Sequence, residues 1–219
     1  RRSGGMHYTS IENIHKLIDP LFLDGLKAEF AEIEAVTVER SRKARLEAFQ
    51  KKLAGLKFLD PACGSGNFLT ETYISLRRLE NQVLSLLYQG QIMLDMDNPI
   101  QVSIGQFYGI EINDFAVTVA KTALWIAESQ MMKETEDVVR MTLDFLPLKS
   151  YANITEGNAL RLDWPRTDYI MGNPPFVGFT FSSAEQKEDM QSIFPGVKNL
   201  DYVSAWYKKA SDLIQGTKI

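Results

Sequence analysis

Only one cysteine, Cys63, and two histidines, His7 and His15, occur among the 219 residues. An internal disulfide is excluded, and without a cysteine pair there is no recognisable zinc constellation, so no metal is expected. Long apolar runs are missing as well. No stretch approaches the roughly 18 residues that suggest a membrane span, and the opening Arg1-Arg2-Ser3-Gly4-Gly5 lacks the apolar core of a signal peptide. A cytoplasmic protein with no membrane partner is the expectation. Basic residues do not exceed acidic ones: 24 Lys and Arg against 28 Asp and Glu leave a formal net charge of −4. That balance suits a phosphate-neutralising surface poorly, so if the chain acts on nucleic acid, most of the grip is expected to lie elsewhere.

What is present is an ordinary globular composition, 45% hydrophobic and 24% charged, in a length that suits one domain with a helical appendage. Both ends read as cut. The chain starts on arginine, and Gly216-Thr217-Lys218-Ile219 reads as a helix stop followed by the start of a strand, so a fragment of a longer protein is expected.

Helix formers dominate from Ile11 to about Leu53, with Leu26, Phe30, Ile33, Val36 and Val38 at roughly helical spacing. The run Glu39, Arg40, Arg42, Lys43, Arg45 mixes signs and reads as a solvated helix or turn rather than a nucleic-acid patch. Residues 1–54 are therefore taken as an N-terminal segment and helical region, and 55–219 as a catalytic core. Within the core, strands are predicted at Leu56–Leu59, Gln106–Glu111, Asn153–Glu156 and Asp168–Gly172. Long helices are predicted from Asn67 to about Tyr88 and from Asn113-Asp114 to about Met131. A capping box at Ser182 or Ser183 opens another helix, and Val203, Trp206, Tyr207, Ala210, Leu213 and Ile214 form one apolar helix face, with Trp206 a core residue. Strands alternating with helices indicate an α/β fold with a mainly parallel sheet, whose ligands bind beyond the carboxyl ends of the strands.

Asp60, Glu111 and Asn173 fall at the carboxyl ends of predicted strands, and Asn158 a little past another, so four polar groups converge on one rim. In Asp60-Pro61-Ala62-Cys63-Gly64-Ser65-Gly66, Gly64 and Gly66 permit a tight turn and close approach of a ligand, with a helix N-terminus from Asn67 behind them. An ordinary strand-to-helix turn is the competing reading. A dinucleotide site is disfavoured, because a third glycine is missing and Phe68 stands beside the loop. Glu111 is either a surface acid or an acceptor for two ribose hydroxyls, and it lies much further from Gly66 than the roughly 20 residues of the dinucleotide fold. Cys63 fills a tight loop and is not expected to be a nucleophile. Asn173-Pro174-Pro175-Phe176 is the most specific signal. Two prolines lock the chain in an extended form, so the Asn173 side chain and the Pro174 carbonyl can accept both N–H bonds of a planar amine while Phe176 stacks on its ring.

Asp60-Pro-Ala-Cys-Gly-Ser-Gly66 together with Asn173-Pro-Pro-Phe176 resembles the S-adenosylmethionine-dependent DNA adenine-N6 methyltransferases. Gly5-Met6-His7-Tyr8-Thr9-Ser10 is similar to the segment that precedes the glycine loop in their gamma arrangement. Val177-Gly178-Phe179, Glu185-Gln186-Lys187 and Asp201-Tyr202-Val203 resemble the methylase region of large single-chain type II restriction–modification enzymes. The resemblance covers nearly the whole chain.

It implies a Rossmann-like class I methyltransferase, cut before its last strands, with S-adenosyl-L-methionine as cofactor. Double-stranded DNA with a flipped adenine would be the partner, and target-recognition and nuclease regions would belong to the same full-length chain. Tyr8 and Thr9 would meet the methionine end of the cofactor. Asp60 and the loop Ala62, Cys63, Gly64 and Gly66, with Asn67 and Phe68 behind it, would surround the amino-acid part. Glu111 would hold the ribose, Ile112 would pack on the adenine, and Asn158 with Ala159 would meet its edge. Asn173, Pro174, Pro175 and Phe176 would grip the target base. Ser10 stands where the family commonly has proline, and Phe176 where tyrosine is more common. Methylation of a protein glutamine or an RNA guanine is the alternative activity, and an inactive cofactor-binding fragment is a third reading.

Overall fold

Alternation along the first strand sets the two faces of the sheet: Phe58 and Leu59 are both fully buried, but on opposite sides, in two different apolar clusters. The computed structural model describes residues 9–88, 99–140, 143, 152–197 and 199–215. Four parallel strands are paired in the order β3-β2-β1-β4, with β1 at Phe58–Asp60, β2 at Phe107–Glu111, β3 at Asn153–Glu156 and β4 at Tyr169–Ile170. Phe58 pairs with Phe107 on one side and with Tyr169 on the other. The short β4 is extended by side-chain and backbone bonds. The Lys57 amide donates to Asp168 Oδ2 at 2.8 Å, and the Met171 amide donates to the Leu59 carbonyl at 2.9 Å.

Helices cover both faces. On one side lie α1 (Ile11–Ile18), a π-helical turn (Asp19–Leu23), α2 (Asp24–Glu34) and α3 (Glu39–Gly55), together with α4 (Asn67–Leu87) and α5 (Asp114–Val139). Phe22 packs on Phe58 and Tyr169, with ring centroids 5.1 and 5.0 Å away, so apolar residues from both sides of residue 54 share one core. His15 ties α1 to α4, its Nδ1 2.8 Å from Asp19 and its Nε2 3.0 Å from Glu71. On the other face, α7 (Ser204–Gln215) buries Trp206 against a cluster that includes Leu59, Ile110 and Met190 of α6 (Ala184–Ile193). Trp206 is thus a core residue as expected, and its indole N–H donates to the Pro61 carbonyl at 3.1 Å.

Two sequence expectations need correction, and one open choice is resolved. The helix opened by Asn113 runs to Val139 rather than stopping near Met131, because Thr135 and Val139 continue its buried face. Val36 and Val38 do not extend the helical stripe of Leu26, Phe30 and Ile33. They fall in the break between α2 and α3, and Val38 is 64% exposed. The capping box is made by Ser183 with Gln186, while Ser182 ends the preceding 3₁₀ turn. The mixed charge run of α3 is a largely solvated face, as the sequence indicates.

Candidate active site

Because all four strands run in the same direction, the turns after β1, β2, β3 and β4 open on one rim. The turn after β1 is the glycine loop. Gly64 and Gly66 adopt φ of +52° and +82°, left-handed values that a side chain disfavours, and Gly66 caps α4. A Cβ at Gly66 would lie 3.0 Å from the Ala120 Cβ, so loop and α5 are in direct contact there. The loop is sewn to β2 by the Cys63 amide, which donates to the Ile110 carbonyl at 3.1 Å.

Glu111 is fixed by the same architecture. Its Oε2 accepts the Gly64 amide and its Oε1 the Asn113 amide, both at 2.9 Å. Each oxygen retains lone-pair capacity, so a half-buried carboxylate is held with two acceptors available to a vicinal diol. Ile112 and Phe115 follow it at 66% exposure each, an apolar ledge beside that acceptor pair. Cys63 packs over Gly109, where an added Cβ would lie 2.8 Å from Sγ, and burial pushes the thiol pKa up. It is a packing residue of the loop in the protonated form.

The two key loops meet at Asp60 and Gly172. Asp60 ends β1, is 1% exposed and accepts the Ala62 amide at 3.0 Å through Oδ1. Burial, with a smaller push from Glu111 and against the Ala62 bond, raises its pKa to about 7. Gly172 has φ +148°, and a Cβ there would stand 2.3 Å from Asp60 Oδ1. Only a glycine fits, and it delivers Asn173 directly beside the glycine loop. A groove of about 590 Å³ runs past Pro61, Gly172 and Pro174 to Leu17 of α1 and Trp206 of α7. Asn173, Pro175 and Phe176 face solvent, Phe176 being 69% exposed, and Pro174 is half-buried.

After β3, the Gly157 amide donates to the Glu111 carbonyl at 2.8 Å and brings Asn158 to the same rim. Asn158 is half-buried, and Ala159 is in the core beneath it. Phe68 is buried and Asn67 half-buried behind the glycine loop, and Thr9 is half-buried beside the Ser10 cap of α1. Tyr8 lies outside the described residues. Sequence reasoning missed Gly172, Asp189 and Tyr202. A glycine closing a strand immediately before Asn173 was a usable signal for the first. Nothing local marks Asp189, an acid within a polar helix, as a buried partner of Asn158.

The family model for the MmeI DNA-methyltransferase domain matches residues 36–219. DNA methyltransferase A of Bacillus subtilis is 42% identical over 215 residues, which are 93% of this chain and 24% of that protein. The adenine-specific methyltransferase PglX of Streptomyces coelicolor is 32% identical over 72 residues, 33% of this chain and 5% of that protein. Among solved structures, the type IIL restriction-modification enzyme MmeI in complex with DNA superposes with a TM-score of 0.88 at 44% identity, covering 96% of this chain and 29% of that one. The chain thus spans about a quarter of the length of the Bacillus protein and of the solved MmeI chain.

Proposed function

Since the chain belongs to the family of the MmeI DNA-methyltransferase domain, we propose that it is the methylase part of a cytoplasmic restriction–modification enzyme and transfers a methyl group from S-adenosylmethionine to the N6 amine of a flipped adenine in double-stranded DNA. The observation that carries this reading is the contact of Gly172 with Asp60, which joins the glycine loop and Asn173-Pro174-Pro175-Phe176 into one site. The relatives support DNA as the substrate and, through the adenine-specific Streptomyces protein, adenine as the base. Target-recognition and nuclease regions would belong to the remainder of a full-length protein.

The residues fit the cofactor. Glu111 offers two oriented acceptors for ribose hydroxyls, Ile112 an exposed apolar surface for adenine, and Asn158 a carboxamide for its edge. Gly64 and Gly66 leave the loop backbone bare for the amino-acid end, with Ala62, Cys63, Asn67 and Phe68 shaping it, and Thr9 stands next in sequence to Tyr8, the pair assigned to the methionine end. S-adenosylmethionine supplies an electrophilic sulfonium methyl group. Asn173 Oδ1 and the Pro174 carbonyl would accept the two N–H bonds of the target amine and so leave its lone pair free for attack, and Phe176 would stack on the base. Pro175 stiffens the turn. Extracting the adenine costs a few kcal/mol of unstacking. An asparagine is no base, so the proton of the methylated amine leaves to solvent.

Asp60 makes cofactor binding pH-dependent. Its folded pKa of about 7 lies above its ordinary value of 3.8, so its contribution to stability is complete below about pH 4 and is lost as pH rises through 7. The cationic amino group of the cofactor favours the ionised carboxylate, so affinity should rise by about tenfold between pH 6 and pH 8 for one linked proton. Calorimetry with S-adenosylhomocysteine on the full-length protein checks this, and Asp60→Asn should flatten the profile. The function itself is tested by incubating the protein with methyl-labelled cofactor and duplex DNA. Label should enter the DNA; label confined to protein or RNA would overturn the proposal.

A further inference from the structure

Phe181 is 87% exposed, the most exposed large hydrophobic side chain among the described residues, and it follows Phe176 closely in the chain. Backbone bonds pin the segment between them. The Val177 amide donates to Asp201 Oδ1 at 3.1 Å, and the Val177 carbonyl accepts the Tyr202 amide at 2.9 Å. The Phe181 amide closes the 3₁₀ turn (Phe179–Phe181) on the Gly178 carbonyl at 2.9 Å, and the capping box of Ser183 and Gln186 then starts α6. A Cβ at Gly178 would lie 3.9 Å from Phe181 Cδ2, so the edge of the ring sits over Gly178, close to Phe176. An apolar ring is thus held out in water beside the target-base grip by a turn bonded on both sides of it.

The charges of α6 are sorted by face. Glu185, Glu188 and Asp189 share one side of the helix and converge on Arg161, whose Nη2 is 3.6 Å from both glutamates and whose Nε donates to Asp189 Oδ1 at 2.7 Å. Asp189, 3% exposed, also accepts Asn158 Nδ2 at 2.9 Å and the Tyr202 hydroxyl at 2.8 Å, which fixes α6 against the rim. Lys187 points elsewhere. Its Nζ sits 5.3 Å from the centre of the Phe179 ring, at cation–π distance, over the turn that carries Phe181. One exposed ring and one ammonium group therefore stand next to the grip, with the neighbouring acids drawn towards Arg161.

Duplex DNA at a flipped site has a partner for each. Extruding an adenine leaves a gap one base thick, bordered by the apolar faces of the adjacent bases, and Phe is among the side chains that wedge between base steps. The phosphates beside that gap carry the charge opposite to that of Lys187. We propose that Phe181 and Lys187 form a duplex-DNA contact surface beside the flipped adenine, with Phe181 filling the vacated stack and Lys187 neutralising a backbone phosphate. The inference rests on the reading that residues 173–176 take an adenine flipped out of DNA.

The test uses a short fluorescent duplex built on a site that wild type methylates. Its binding to the full-length protein is measured over a series of salt concentrations with S-adenosylhomocysteine present. Phe181→Ala should weaken binding by about tenfold, the scale of one lost base–aromatic stack, and leave the salt dependence as it is. Lys187→Gln should weaken binding several-fold and reduce the slope of log affinity against log salt by about 0.9, the share of one phosphate contact. Both side chains are exposed, so melting temperature and affinity for S-adenosylhomocysteine should stay at wild-type values. Wild-type duplex affinity in Phe181→Ala, or a wild-type salt slope in Lys187→Gln, would overturn the inference. A lowered melting temperature of Phe181→Ala with unchanged duplex affinity would overturn it too, by showing that the ring packs on another part of the full-length chain. If wild type methylated no DNA, the functional reading would fall and the inference with it, whereas failure of the two variants to behave as stated leaves methyl transfer to DNA untouched.

Discussion

Gly172→Ala is expected to lower methyl transfer by about 100-fold or more in a protein that still folds, because a misplacement on the order of 1 Å of a reacting group costs that much. The added Cβ would stand 2.3 Å from Asp60 Oδ1 and 2.8 Å from its Cγ, and the backbone φ of +148° is one that alanine rarely adopts. Asp60 has no slack to give. It is buried, held by the Ala62 amide, and joined to the floor of the site through the adjacent Pro61 carbonyl, which takes the Trp206 N–H. The strain must therefore pass into residues 172 and 173 or into the glycine loop, and either route separates the target grip from the cofactor loop. Rate measurements with saturating cofactor, alongside a thermal melt, check this. A wild-type rate would show that the seam between the two loops is not needed for catalysis.

Asn173→Ala should have a still larger effect on turnover and almost none on the fold. Removal of a preorganised polar group that acts on charge developing in the transition state typically costs about 100- to 1,000-fold. Here the lost carboxamide also orients the amine before attack, so activity should drop below detection in a standard assay. Asn173 is exposed, and its replacement should change stability by no more than about 0.5 kcal/mol. Cofactor affinity should stay within a few fold of wild type, because Glu111 and the glycine loop are untouched. Turnover by this variant would remove Asn173 from the mechanism. An equal loss of cofactor affinity would instead mean that the substitution disturbed the loop.

Much of this architecture is legible in the residues because local signals and the fold agree. The glycine pair, the cap at Asn113 and the alternation of Phe58 with Leu59 each determine their own neighbourhood, and the parallel order then follows from the crossover helices. Helix ends were less readable where long-range packing sets them. The α5 helix continues past Met131 because Thr135 finds Asn81 at 2.7 Å and Arg77 at 2.6 Å on α4, partners invisible to periodicity. Val36 and Val38 keep the spacing of a helix face but fall in the break between α2 and α3, where Val36 is half-buried and Val38 exposed. The site divides in the same way. Glu111 and Asn173 could be found from their places at strand ends. The Asp60–Gly172 contact needs the β1–β4 pairing, and the Asp189 cluster needs α6 folded back over the turn after β3.

The most direct measurement is base-by-base analysis of the product. Duplex DNA incubated with the full-length protein and S-adenosylmethionine, then digested to nucleosides and separated, should contain N6-methyldeoxyadenosine that is absent when Asn173→Ala protein is used. Methyl groups on cytosine, or methylation of protein or RNA with none in DNA, would contradict the account.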